Sequence, residues 1–118
     1  MLQYRYAFSI LVITLSSFAA AQPAPNFMIT DSWGSPHRLY EDYLDQGKTV
    51  VIELFFAACP PCNQIAPYVE TLYQNWGSGQ EEVQFLELSI LSSDTDAKVN
   101  AYKASHDTSY PAASAQGG

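Results

Sequence analysis

The 118-residue chain predicts an α/β domain with a mixed or parallel sheet. Three observations lead there. An apolar and β-branched run from Val50 to Phe56, interrupted only by Glu53, has the composition of a strand covered on both faces. Two cysteines separated by two prolines follow directly and open a stretch of helical periodicity. A second apolar run, Val83 to Leu91, and a second cap-and-helix pattern from Ser93 come next, so strand and helix alternate.

Composition bounds the rest. With 47% apolar and 14% aromatic residues, the chain can build one packed core. Twelve acidic residues against five basic ones give a formal charge of −7, which excludes a nucleic-acid footprint. Met1 to Ala21 has the pattern of an export signal: Arg5 near the start, an apolar stretch from Ala7 to about Phe18, then Ala19-Ala20-Ala21 before Gln22. That apolar stretch is too short to span a bilayer comfortably, so no stable membrane span is expected after cleavage. The expected division is a signal peptide over residues 1–21, a Pro/Ala linker over 22–26 and one partial domain over 27–118. The expected location is the periplasm or the extracellular space.

In chain order, Asn26 to Asp31 predicts a short strand, Ser32-Trp33-Gly34-Ser35 a turn, and Pro36 to Leu39 a returning strand. Leu39, Tyr43 and Leu44 recur at helical spacing across Leu39 to Gln46, with Gly47 placed to end that helix. Trp33 and the tyrosines are expected in the core or at its rim. The Val50 to Phe56 run is expected to be the central strand, and Glu53 within it needs a partner, a proton or a wet crevice. A carboxyl there would serve as a proton acceptor near the cysteines.

The pair in Cys59-Pro60-Pro61-Cys62 fits the first turn of a helix, where proline's missing N–H would have no partner anyway. A sulfur at a helix start faces free N–H groups and the positive end of the macrodipole, which favours the thiolate. The second thiol, one turn on, can close a disulfide with it. A bridge over two intervening residues removes little unfolded-state entropy, so the spacing favours a reactive pair over a structural staple. Ile65, Val69, Leu72 and Trp76 then mark one face of an amphipathic helix ending around Trp76-Gly77, with Pro67 inside it as a kink. Ser93-Asp94-Thr95-Asp96 caps the next helix. After Tyr110-Pro111 the residues are small and polar, and no further strand is expected.

From Lys48 through Pro67 the chain resembles the thioredoxin superfamily, and within it the exported TlpA/ResA-type thiol-disulfide oxidoreductases. The residues carrying the likeness are the apolar strand with an acid six residues before the first cysteine, the C-x-x-C, and the helix proline five residues after the second cysteine. A looser similarity runs from Phe27 to Gly118 and includes the Asp31 turn with Gly34 and the Tyr102-to-Pro111 segment. The resemblance implies a thioredoxin-like fold, with a central mixed sheet flanked by helices but without the family's C-terminal hairpin and last helix. An edge left open in that way predicts poor solubility or low activity for these residues alone. It further implies Cys59 as the exposed attacking cysteine, Cys62 as the buried resolving one, Glu53 as the buried acid that assists proton transfer, and Pro67 as the helix kink. The implied partners are protein thiol or disulfide substrates and an electron-donor thiol protein, with no cofactor and no resident metal. Ala58 stands where the superfamily usually has tryptophan.

The leading expectation is therefore an exported thiol-disulfide oxidoreductase acting as reductant. Two other classes remain open. Paired thiolates also hold soft ions such as Cu(I), although His37 and His106 lie far off in sequence and are expected at the surface. A peroxiredoxin-like peroxidase would want Thr three residues before Cys59, where this chain has Phe56.

Overall fold

The computed structural model describes residues 21–118, so the expected export signal lies outside the described residues except for Ala21. Strand β1 (Met28–Thr30) pairs antiparallel with β2 (Pro36–Arg38), placing Ile29 opposite His37. The turn between them closes on Asp31, whose Oδ1 accepts from the Trp33 and Ser35 N–H groups at 2.9 Å each. Gly34 takes the left-handed backbone there, at φ 88°. Residues Leu39–Tyr43 form one wide π turn and Leu44–Gln46 a 3₁₀ turn, instead of the single helix that the spacing predicts. β2 runs straight into this segment with no side-chain cap at Arg38, and eight residues leave little length for a regular helix to propagate. Gly47 does terminate it, at φ 78°.

Strand β3 (Thr49–Phe55) pairs parallel with β4 (Val83–Ser89), which in turn pairs parallel with β5 (Ala112–Ala113). Helix α1 (Pro60–Asn75) connects β3 to β4, and α2 (Asp96–His106) connects β4 to β5. Both crossovers are the long connections that parallel pairing requires. The strand order β3-β4-β5 corrects two expectations. The central strand among the described residues is β4, while β3 lies at an edge with Val51, Ile52 and Leu54 exposed. An apolar run reports affinity for a sheet but not position within it, and hydrophobicity alone could not separate the two. A strand does follow Pro111: Ala112 and Ala113 are fully buried in β5, where only small side chains fit between the layers.

The sheet carries packing on both faces. On one, Phe55 and Ala112 meet Cys59, Cys62 and Ala66 from the α1 end and Val99 and Tyr102 from α2, while Phe85 packs with Tyr73 and Tyr110. On the other, Leu86 and Ala113 pack with Ile29 and Tyr43 from the N-terminal segment. The hairpin is stitched down by Thr30 N–H donating to the Gly117 carbonyl and Ser32 N–H to that of Ala112, both at 2.8 Å. The lid over this second face carries a buried polar chain: His37 Nε2 lies 2.9 Å from Asp31 Oδ2, and His37 Nδ1 lies 2.5 Å from the Tyr43 hydroxyl. His37 is therefore a buried, partnered residue and not a surface one. Burial alone would raise the Asp31 carboxyl, but the His37 bond and the Ser35 and Trp33 N–H groups hold it below its ordinary value. Trp33 stays 58% exposed, with the Lys103 ammonium 3.7 Å from its ring centroid.

The buried face of α1 also differs from the expected one. Cys62, Ala66, Val69 and Tyr73 turn inward, while Ile65, Leu72 and Trp76 are about half exposed. Both sets have the same i, i+4, i+7, i+11 spacing, three residues apart. The disulfide turn fixes the rotation of the helix about its axis, and Ala66 lets the backbone approach the sheet closely.

Candidate active site

The turn between β3 and α1 is built so that one sulfur caps the helix. Cys59 has extended backbone at φ −71°, ψ 113°, and occupies the cap position; Pro60 and Pro61 fill the first helical positions. With those two N–H groups absent, the Cys62 N–H is the first one free, and it donates to Cys59 Sγ at 3.2 Å. The two cysteines are joined in a disulfide, with Sγ atoms 1.98 Å apart and Cα atoms 5.2 Å apart. The expected contrast between an exposed Cys59 and a buried Cys62 is not found in this bonded form: their exposures are 5% and 9%. Phe55, Ala66, Val99 and Tyr102 surround the pair. What distinguishes the two sulfurs is the donor aimed at Cys59.

Three polar side chains fix the turn. Asn63 donates through Nδ2 to the Cys59 carbonyl at 2.6 Å and to the Ala57 carbonyl at 3.2 Å. Its Oδ1 lies 2.6 Å from His106 Nε2, so α2 grips the same residue. His106 is half-buried here, another departure from a free surface histidine. Asp94, 2% exposed, accepts from the Ala57 N–H at 2.8 Å and from the Ser89 hydroxyl at 2.7 Å. The sequence marks Asp94 as part of a helix cap, but the cap itself is Thr95, whose hydroxyl accepts from the Lys98 N–H at 3.3 Å. A groove of about 490 Å³ opens beside the turn, lined by Ala57, Ala58, Leu91, Asp94, Lys98 and Ala101 among others.

Glu53 lies on β3 with its side chain half-buried, and burial raises its carboxyl above the ordinary value. Its register partner on β4 is Glu87, which the sequence reading missed. Glu87 is fully buried, and burial together with the Glu53 charge pushes its carboxyl up to about 8. Its Oε1 accepts from the Tyr102 hydroxyl at 3.2 Å, and that same hydroxyl lies 3.3 Å from the Cys62 carbonyl oxygen. The signal was parity: in β4, Phe85, Glu87 and Ser89 share one face, so a carboxylate sits in a row that packs against the helices. Pro67 lies within α1, exposed; it leaves the Asn63 carbonyl without its usual helical donor, and its own carbonyl accepts from the Thr71 hydroxyl at 2.9 Å.

Among the described residues, no group of three or more His, Cys, Asp or Glu side chains is placed to hold a metal ion, and no helix is long and apolar enough to cross a membrane.

Comparison with known proteins gives the same reading of the fold. The chain is 30% identical over 95 residues to the thiol-disulfide oxidoreductase ResA of Bacillus thuringiensis subsp. konkukian, covering 80% of this chain and 51% of that protein. It is 38% identical over 58 residues to ResA of Geobacillus kaustophilus, covering 49% of this chain and 32% of that one. The chain spans about half the length or less of these curated relatives. Among solved structures, a thioredoxin-family thiol:disulfide interchange protein from Chlorobium tepidum superposes with a TM-score of 0.68 at 22% identity, covering 81% of this chain and 61% of that one. A secreted disulfide oxidoreductase of Mycobacterium tuberculosis gives 0.61 at 17% identity, covering 75% and 59%. At these identities the likeness is one of fold. The AhpC/TSA family profile matches residues 20–118, which takes in all of the described residues, and the chain belongs to that thioredoxin-like family.

Proposed function

We propose that this chain exchanges disulfides with protein thiols through Cys59 and Cys62, as an exported reductant resupplied by a second thiol protein. The observation that carries the reading is the Cys62 N–H aimed at Cys59 Sγ at the head of α1. In the reduced chain, the Cys59 thiolate attacks one sulfur of a substrate disulfide, a mixed disulfide forms, and the first substrate sulfur leaves with a proton from water. Cys62 then gives up its proton and attacks Cys59 Sγ; the Cys59–Cys62 bond forms and the second substrate thiolate departs. The chain loses two electrons and the substrate gains them. Glu53 is proposed as an acceptor for the Cys62 proton, on the strength of its raised proton affinity and its place on the strand leading to the turn. Export is proposed from the Arg5, apolar-stretch and Ala19-Ala20-Ala21 pattern of the sequence.

The test is a substrate trap. With Cys62→Ser, a disulfide-bonded protein substrate should accumulate as a mixed disulfide on Cys59, and Cys59→Ser should abolish capture. Absence of any mixed disulfide with the Cys62→Ser chain would end this reading. Direction follows from the potential against glutathione: a value near about −200 mV or above speaks against the reductant role. The family match keeps peroxidase chemistry as the second reading. Peroxide consumption by the chain with Cys62→Ser, where Cys59 would still be oxidised, separates it from disulfide exchange.

A further inference from the structure

Glu87 is the one carboxyl sealed completely within the described core, and disulfide exchange through the cysteines as set out above makes no use of it. It lies on the β4 face that packs against α1 and α2. One oxygen joins it to the cysteine turn: the Tyr102 hydroxyl is 3.2 Å from Glu87 Oε1 and 3.3 Å from the Cys62 carbonyl, so those two acceptors are at most 6.5 Å apart. Glu87 Oε2 has no hydrogen-bond partner among the described residues. A phenol has one proton to donate, which makes the junction a switch. With Glu87 protonated, its O–H can donate to the Tyr102 oxygen and the Tyr102 proton can point to the Cys62 carbonyl. With Glu87 ionised, the Tyr102 proton turns to the carboxylate and the Cys62 carbonyl loses its donor.

We propose that Glu87 is a positioning residue of the redox pair whose proton is exchanged in step with the opening and closing of the Cys59–Cys62 disulfide, through Tyr102. The inference rests on the disulfide-exchange reading of the cysteines. Opening the disulfide by two electrons places a negative sulfur at the head of α1 and a thiol at Cys62. The new charge favours the protonated form of a buried carboxyl, so above about pH 8, where the oxidised chain holds Glu87 ionised, Glu87 takes up a proton on reduction and releases it on reoxidation. Other charges bear on Glu87. β3 supplies Glu53, which opposes its ionisation, and α2 supplies Lys103, which favours it. The segment before β5 supplies the Tyr110 phenol, itself raised by burial first and by the Glu87 charge second. α1 supplies the cysteines and, further along, Glu70, whose charge acts on Lys103. His106 packs edge-on against Tyr102 at 4.9 Å between ring centroids.

The experiment equilibrates the whole chain with reduced and oxidised glutathione from pH 6 to 9 and measures the fraction of dithiol by thiol trapping. One extra proton bound on reduction changes the equilibrium constant by up to an additional tenfold per pH unit, over the range where Glu87 is ionised in the oxidised chain and protonated in the reduced one. Wild type should show that excess and Glu87→Gln should lack it. Tyr102→Phe, which keeps the carboxyl but removes the shared hydroxyl, should shrink it. Glu53→Gln should move the pH at which it appears but not remove it. Wild type and Glu87→Gln agreeing within twofold at every pH would overturn the proposal. A reduced-minus-oxidised infrared difference spectrum of wild type needs no variant: a gain of a protonated-carboxyl band at pH 9, where Glu87 is ionised in the oxidised chain, supports the proposal, and its absence there counts against it. A chain that reaches no equilibrium with glutathione fails at the earlier step, the disulfide-exchange reading, and takes this inference with it.

Discussion

Replacing Glu87 by glutamine should change how stability depends on pH. In the fold the Glu87 carboxyl keeps its proton to about pH 8, whereas an ordinary glutamate releases it near 4.5. Between those values the folded chain binds the extra proton and the unfolded chain does not, so stability falls as pH rises, and levels off above about 8. At about 1.4 kcal/mol per pH unit for one full proton, the interval sets a ceiling of ~5 kcal/mol. Lys103 acts in the opposite sense at higher pH. Burial lowers its ammonium to about 8 from 10.5, so the fold sheds that proton first and stability recovers as pH rises between those values. Wild type should therefore be least stable near pH 8. Glutamine has nearly the same shape and no charge to desolvate. At pH 5 the two chains should differ little, and by pH 8 Glu87→Gln should be the more stable, by ~1 kcal/mol or more for each pH unit crossed. The assay is urea unfolding at pH 5, 6, 7 and 8 with the disulfide intact. Parallel stability curves, within about 0.3 kcal/mol per pH unit, would refute the claim that Glu87 is buried protonated.

Further predictions follow from the same contacts. Asp94→Ala removes two hydrogen bonds to a buried carboxylate and leaves the Ala57 N–H without a partner, for a loss of about 2–4 kcal/mol in urea unfolding; a change under ~0.5 kcal/mol would show that Asp94 does not hold the turn. Leu54→Lys, on the exposed edge strand, should leave stability within about 0.5 kcal/mol and reduce self-association seen by light scattering, and unchanged association would show that this edge is not where chains meet. Asp31 is held below its ordinary 3.8, so its contribution is complete above that value and is lost as pH falls through the folded one. Wild type should accordingly lose more stability than Asp31→Asn between pH 5 and pH 2 in thermal unfolding, and equal losses would contradict the His37 pairing.

Local chemistry was legible in the sequence, and relative placement was not. The extent of β3, the turn at Cys59, the end of α1 near Gly77 and the start of α2 follow from residue type and spacing, because caps, prolines and glycines act over a few residues. The rank of β3 within the sheet, the inward face of α1 and the strand at Ala112–Ala113 depend on what lies opposite. For α1, two residue sets of identical period competed, and the less hydrophobic one won because Cys62 and Ala66 face the sheet. Glu53 stood out because it interrupts an apolar run. Glu87 did not, because Gln84 and Ser89 make its strand look half polar, and only the fold shows that its side chain is sealed in. Asp94, Tyr102 and His106 reach the cysteine turn from 37, 40 and 43 residues away, beyond any local pattern.

Selective alkylation of the reduced chain gives the most direct test that the head of α1 sets the two sulfurs apart. Iodoacetamide at pH 7, with the modified cysteine mapped by mass, should label Cys59 at least ~10 times faster than Cys62, because the helix start stabilises the anion on that sulfur. Equal labelling rates, or faster labelling of Cys62, would contradict it.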